Sequence, residues 1–566
     1  MKPAGLVRRS SSALGRLSSW WRLVALCVGT NLAEAALVMG FDHGTRPDLA
    51  PQASAVAPFG VFGDLRWVSV YHDSWAGFAA EIAAMLVVRA AITCASVSLA
   101  WPTQMERPTT ARLFARAMLA TSLSALLLAP SVALLFGLAA VPVSWLFLAA
   151  VPAALLVAMV VHPVAVSGDW WRRSLTARAL GWVLLAFFVL SASAAAMSAV
   201  PAALWPLVSA LSGLFNAWSW VGLVHAVSDR RPARHVVPVV PVALVALVCG
   251  VTAGAVLGFS HAHPHDAGGS DADDADRGSQ PVLLVSGYGS TWDGRARHPI
   301  PGDFYEQQFS YAGTDSAGVP RPYTSSDTVK PLPELEEMFV AQLRELSRRG
   351  GRKVDVVAES EGALVSKTAL LADPAQPVSR LVLASPLIAP GRVWYPSRDA
   401  EGWGVASAAG MRLLGGAFQS VSPISLDPDS SFLESLDRFA PDLETAMTCP
   451  LRGVRQFALL PLADATVTPA GATLQFSSVV VDAFHGGLLE SRPDERIVSE
   501  VLDGRPVGGD GLLQWADDVI SSASGAWQVP ALVDSDYPTG PGTGVLTGAT
   551  SCSRVATELH AGTVRG

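Results

Sequence analysis

The sequence predicts two architectures in tandem: an all-α transmembrane helical bundle of about seven spans, then an α/β domain with a mainly parallel sheet and helices on both faces. Three observations carry this. Near residue 260 the composition changes from Ala-, Leu-, Val- and Trp-rich segments to that of a soluble globular domain. Before that point, apolar stretches recur at the length of about 20 residues that a helix needs to cross a hydrocarbon core. After it, short β-branched runs alternate with helix-forming segments, as in a sheet built from crossover units. The divisions are a membrane region 1–260, a linker 261–280 and an α/β domain 281–566.

Whole-chain properties agree. The 566 residues exceed one ordinary domain. Charged residues are 16% of the chain, against roughly 25% in soluble proteins. A net charge of -8 supplies no basic footprint, which argues against nucleic acid as a partner. Cys27, Cys94 and Cys249 lie in apolar segments and read as small buried hydrophobes. Cys449 and Cys552 fall in the soluble half and permit one disulfide in an oxidising compartment.

The predicted spans are 23–40, 77–100, 117–138, 143–162, 179–199, 204–227 and 237–259. Arginines cluster on alternate connections: Arg8, Arg9, Arg16 and Arg22 with Lys2; Arg107, Arg112 and Arg116; Arg172, Arg173 and Arg178; Arg230, Arg231 and Arg234. The opposite connections hold only Arg46 and Arg66. The positive-inside rule then puts the N-terminus in the cytoplasm and everything after residue 260 outside. The first span with Ala33-Glu34-Ala35 also reads as a signal peptide, whose removal would leave the second domain on the same side. Glu34, Glu81 and Arg89 interrupt apolar segments. Charge at that depth is costly. It reads either as an ion pair of Arg89 with Glu34 or Glu81 that ties helices together, or as a lipid-access or translocation path. In the linker, His261, His263, His265 and Asp266 have metal-ligand chemistry but no fixed geometry.

In the soluble half, strands are predicted at 281–286, 306–311, 354–358, 380–384, 454–460 and 478–482. Helices are predicted at 333–348, 361–372, 431–438 and 512–522. Pro331 and Pro333 suit the start of the first helix. The third strand ends in Ala358-Glu359-Ser360-Glu361-Gly362, and a helix follows at once. Small residues at 358 and 362 let strand and helix approach, and the turn exposes Ser360. A serine needs a base and an oriented acid to act as a nucleophile. Asp464 follows an apolar strand, and His485 sits in a His-Gly-Gly turn after the last strand. Asp482 is a reserve acid, close in sequence to the histidine; His298 precedes the serine, in the wrong order. Upstream, the strand ending at Val285 opens into Ser286-Gly287-Tyr288-Gly289, a loop suited to an oxyanion hole. One donor is expected from the amide of Glu361 and the other from Tyr288 or Gly289.

Together these pieces resemble the α/β-hydrolase superfamily, closest to lipases and esterases with an Ala-x-Ser-x-Gly elbow. The resemblance covers about 281–525. It implies that Ser360 attacks an acyl carbonyl, His485 takes its proton and Asp464 orients the imidazole. No cofactor is implied. An acyltransferase would use the same triad, and a membrane receptor or transporter could carry the domain as a binding module. The insertion at about 390–445, with Trp394, Tyr395, Trp403 and an apolar segment, reads either as a lid for lipid-like acyl esters or as a domain-packing hairpin. Glu359 and Glu361 depart from the lipase pattern. Extra carboxylates near His485 would favour imidazolium and an alkaline optimum.

Overall fold

In the computed structural model of the protein the described residues are 7–42, 58–140, 144–166, 176–228, 279–296, 299–388, 396, 398–402, 404–419, 427, 429–462, 464, 474–483, 485, 488–490, 492–524 and 552. The N-terminal half is helical: α1 (Val7–Asp42), α2 (Phe59–Val70), α3 (Trp75–Ala100), α4 (Thr110–Ala140), α5 (Ser144–Val161), α6 (Ala177–Ala199) and α7 (Trp205–Ser228). Four stretches among the described residues are long and apolar enough to cross a membrane: Trp75–Ala100, Thr110–Val132, Ala177–Met197 and Ala202–Ser228. They correspond to the second, third, fifth and sixth predicted spans. The first predicted span falls within α1, and the fourth, 143–162, covers α5. The seventh, 237–259, lies outside the described residues, as does the linker.

Helix α2 was not expected. It has 12 residues, too few to span, and carries Asp64 and Arg66. Its Phe59, Phe62 and Leu65 nevertheless pack with Met85, Leu128, Leu155 and Phe187. Asp64 explains part of its position. Buried Arg89 of α3 donates from Nε to Asp64 Oδ2 at 2.5 Å and from Nη2 to Asp64 Oδ1 at 2.7 Å. Its Nη1 lies 2.6 Å from Glu34 Oε1 on α1. One guanidinium therefore ties three helices, and its bidentate fork suits two carboxylates. This matches the expected pairing with Glu34 and adds Asp64; Glu81 is not among the ion-pair partners of Arg89 in the described residues. Helix α1 is held a second time by Asn31, whose Nδ2 donates to Ser209 O of α7 at 3.2 Å.

The second half is one sheet of β1 (Gln280–Val285), β2 (Phe304–Gln308), β3 (Val354–Glu359), β4 (Val378–Ala384), β5 (Arg455–Pro461) and β6 (Ser477–Val481). The order is β2-β1-β3-β4-β5-β6 and every pairing is parallel. The helices are α8 (Leu332–Gly350), α9 (Glu361–Ala372), α10 (Val405–Gln419), α11 (Ser431–Thr448), α12 (Arg492–Leu502) and α13 (Gly511–Ser524). Strand side chains alternate between two buried faces. Leu283, Val285, Val356, Ala358, Leu381 and Leu383 share a core with residues of α8, α9 and α11. Val282, Leu284, Val357, Val382 and Ala384 meet Val498 and Leu502 of α12 on the other face. The six strands lie within two or three residues of the expected positions. Helix α11 outruns its predicted end because it continues through Pro441, although proline removes a helical donor. Helix α12 escaped notice because four of its first five residues are Arg, Asp, Glu and Arg.

The described part of the insertion includes α10 and most of α11, and α10 docks on the N-terminal helical half. Gly404 N donates to His72 O at 2.7 Å, and Ser407 Oγ donates to Ser69 O at 2.7 Å. Ala406 N donates to His72 Nε2 at 2.9 Å, while His72 Nδ1 faces Val68 O at 2.5 Å. The tautomer follows: the proton sits on Nδ1 and the lone pair on Nε2. Met411 of α10 joins the core around Phe59 and Met85. The insertion's Trp394, Tyr395 and Trp403 lie outside the described residues. Cys449 at the end of α11 is bonded to Cys552, with Cα atoms 5.8 Å apart.

Arg89→Ala should lower the unfolding midpoint in detergent, since it removes the cation shared by two carboxylates; breaking a buried pair typically costs about 3–5 kcal/mol. An unchanged midpoint would remove the cluster from the account of how α1, α2 and α3 are held.

Candidate active site

The sheet order reverses beside β1: the chain moves outward to β2, then returns past β1 to β3. In open parallel sheets a crevice forms at such a switch point, at the carboxyl ends of the strands. The loop after β1 and the turn after β3 therefore face each other, and Ser360 stands there.

Ser360 separates β3 from α9 with φ 54° and ψ -115°. A side chain at positive φ is strained, by about 1–3 kcal/mol. Neighbouring bonds fix it: Ser360 N donates to Ala384 O at 2.9 Å, and Leu364 N donates to Ser360 O at 3.2 Å. Two glycines make room. A Cβ on Gly362 would lie 2.5 Å from Val285 O, and one on Gly287 would lie 2.9 Å from Ser360 Cβ. Either substitution would push the β1 loop off the turn.

The sequence-predicted histidine and acid converge on this serine. His485 Nε2 lies 3.0 Å from Ser360 Oγ, and His485 Nδ1 lies 2.6 Å from Asp464 Oδ2. The carboxylate only accepts, so Nδ1 carries the proton and Nε2 faces the hydroxyl with its lone pair. The side chains of His485 and Asp464 are 3% and 2% exposed, so water barely screens their hydrogen bond. They arrive from adjacent strands. Leu462 N donates to Val481 O at 2.9 Å just past β5 and β6, and Asp464 N closes a turn onto Pro461 O at 3.2 Å. The reserve acid Asp482 is exposed, and Asp464 holds the imidazole. His298 lies outside the described residues.

The oxyanion loop corrects one expectation. Gly289 N is committed, donating to Thr328 Oγ1 at 2.9 Å. Thr328 sits in the 3-10 turn Ser325–Val329, and nothing in the local sequence signals that it reaches the loop. Tyr288 stacks its ring on Phe432 of α11 at 5.5 Å between centroids. Glu361 opens α9, and because the first helical bond is donated by Leu364, its amide stays outside the i→i−4 ladder. Behind the loop, Tyr311 Oη donates to Ser286 O at 2.6 Å and Gln308 Nε2 donates to Ser286 Oγ at 2.9 Å. These braces come from β2 and the segment just after it.

Burial also corrects the expected charge. Glu361 is fully buried, and desolvation pushes its carboxyl well above the usual carboxylate range. Burial therefore disfavours an anion at this position.

Among the described residues no cluster of three or more His, Cys, Asp or Glu could hold a metal ion. His261, His263, His265 and Asp266 lie outside them. No family model, curated protein or solved structure matches the chain.

Because the Glu361 carboxyl ionises more readily in the unfolded chain, folding stability falls as pH rises above its unfolded value of about 4.3. Glu361→Gln removes that dependence while keeping the backbone amide. The variant should melt above wild type at pH 8, with a gap that grows from pH 5 by at most about 1.4 kcal/mol per pH unit. A gap independent of pH would mean that the carboxyl is not held neutral.

Proposed function

We propose that the chain is a membrane-anchored serine hydrolase that cleaves carboxylic esters through an acyl-enzyme on Ser360, in the manner of the α/β-hydrolase lipases and esterases. One observation carries the reading: Ser360, His485 and Asp464 form a continuous hydrogen-bonded chain of 3.0 and 2.6 Å at the carboxyl edge of a parallel sheet.

In this reading Ser360 Oγ attacks the acyl carbonyl as His485 Nε2 takes its proton, and Asp464 stabilises the imidazolium. The negative charge on the former carbonyl oxygen falls toward the Glu361 amide, with Tyr288 as the donor from the facing loop. Collapse of the tetrahedral species expels the alcohol, which receives its proton from His485. Water then attacks the acyl-enzyme with the same base, releases the acid and restores the serine.

The substrate and the side of the membrane rest on separate support. Helix α10 docks on the helical half, and Met411 enters a core built from apolar helices. A domain held against such helices is suited to lipid-like acyl esters. The arginine distribution favours an extracytoplasmic domain. The Cys449–Cys552 bond agrees, because disulfides persist in oxidising compartments.

A panel of acyl esters presented to the full-length protein in detergent tests the function. Wild type should release carboxylic acid, and Ser360→Ala or His485→Ala should lower kcat by about 10⁴-fold or more. Equal turnover in wild type and Ser360→Ala would refute the assignment. If added alcohol diverts the acyl group into a new ester, the same triad serves acyl transfer.

A further inference from the structure

We infer that Glu359 is a positioning residue for the base: its carboxylate holds the turn that follows His485. The inference rests on the serine-hydrolase reading of the site. Glu359 is the last residue of β3 and immediately precedes the nucleophile. Its Oε1 accepts a hydrogen bond from Leu488 N at 3.0 Å. Leu488 opens the 3-10 turn Leu488–Glu490, three residues after His485.

Strand geometry explains the reach. Residues 355, 357 and 359 share one face of β3. Val357 packs there with Leu488, which is fully buried beside Val382 and Ala384. The Glu359 side chain therefore leaves the sheet where the histidine loop returns. Only residues 486 and 487 separate His485 from Leu488 in the sequence. A carboxylate accepting a backbone N–H is a charge-assisted bond, about twice as strong as a neutral one. Because this carboxylate belongs to the residue beside the nucleophile, it fixes the base loop to the same peptide that aims Ser360 Oγ. The flanking glutamates thus act differently: Glu361 is buried, while Glu359 is tied to the loop of the base.

The test uses the full-length protein in detergent, with Glu359→Ala, Glu359→Gln and Glu359→Asp. Steady-state hydrolysis of a short p-nitrophenyl ester is measured across pH, with the melting temperature of each variant. Displacing a reacting group by about 1 Å costs about a hundredfold. Glu359→Ala should therefore lose about 10- to 100-fold in kcat with KM nearly unchanged. Glu359→Gln keeps an acceptor oxygen and should recover most of kcat. If Glu359→Ala fails to fold, Glu359→Asp carries the test, since its carboxylate is drawn back by one methylene and kcat should still fall. Wild-type kcat in Glu359→Ala, or in a folded Glu359→Asp, would overturn the proposal. So would a Glu359→Gln variant as slow as Glu359→Ala, or a loss confined to KM. A wild-type enzyme inactive on every ester would instead defeat the hydrolase reading on which the proposal stands.

Discussion

A hydroxyl at the end of a buried strand meets substrate only if the backbone turns it out of the sheet. At Ser360 the chain holds φ at 54°, a value that side chains avoid. The rest of the domain is arranged to sustain that turn. Strand β3 lies centrally between β1 and β4, so both its edges are paired. The Ser360 amide is anchored to Ala384 at the end of β4. Gly287 and Gly362 leave space that any larger residue would fill. The imidazole and carboxylate then need only the next strand ends, β5 and β6, to reach the oxygen. A strain of about 1–3 kcal/mol is small against the burial of two full sheet faces.

Much of this was legible in the sequence because each feature is local. The strand, the small residues at 358 and 362 and the immediate helix are contiguous, and apolar runs marked every strand but β2. The Ser, Asp, His order could be read without knowing any distance. What escaped depended on contacts between distant segments. Thr328 takes the Gly289 amide from 39 residues away. Asp64 meets Arg89 across 25 residues, on a helix too short for a hydropathy window to mark. Helix α10 lacks strong periodicity, and its docking on His72 crosses 334 residues. The burial of Glu361 was hidden for the same reason, since a carboxylate in a sequence carries no label of its surroundings.

The two halves hold their charges by different means. Among the helices, Arg89 is neutralised by carboxylates from α1 and α2, an arrangement that ties helices together. In the sheet domain, Asp355 is fully buried and answered by Arg380 at 2.9 Å, on the same face of β3 as Val357 and Glu359. Carboxylates on β3 and its continuation thus meet three environments: an ion pair at 355, a backbone bond at 359 and desolvation at 361.

The claim on which the account stands is that His485, oriented by Asp464, makes Ser360 a nucleophile. Fluorophosphonate labelling of the full-length protein, followed by peptide mass spectrometry, tests it most directly. Wild type should carry one adduct on Ser360, formed more slowly by orders of magnitude in folded His485→Ala and in folded Asp464→Asn. Labelling of Ser360 at the wild-type rate in folded His485→Ala, or no adduct on the folded wild-type protein, would contradict it.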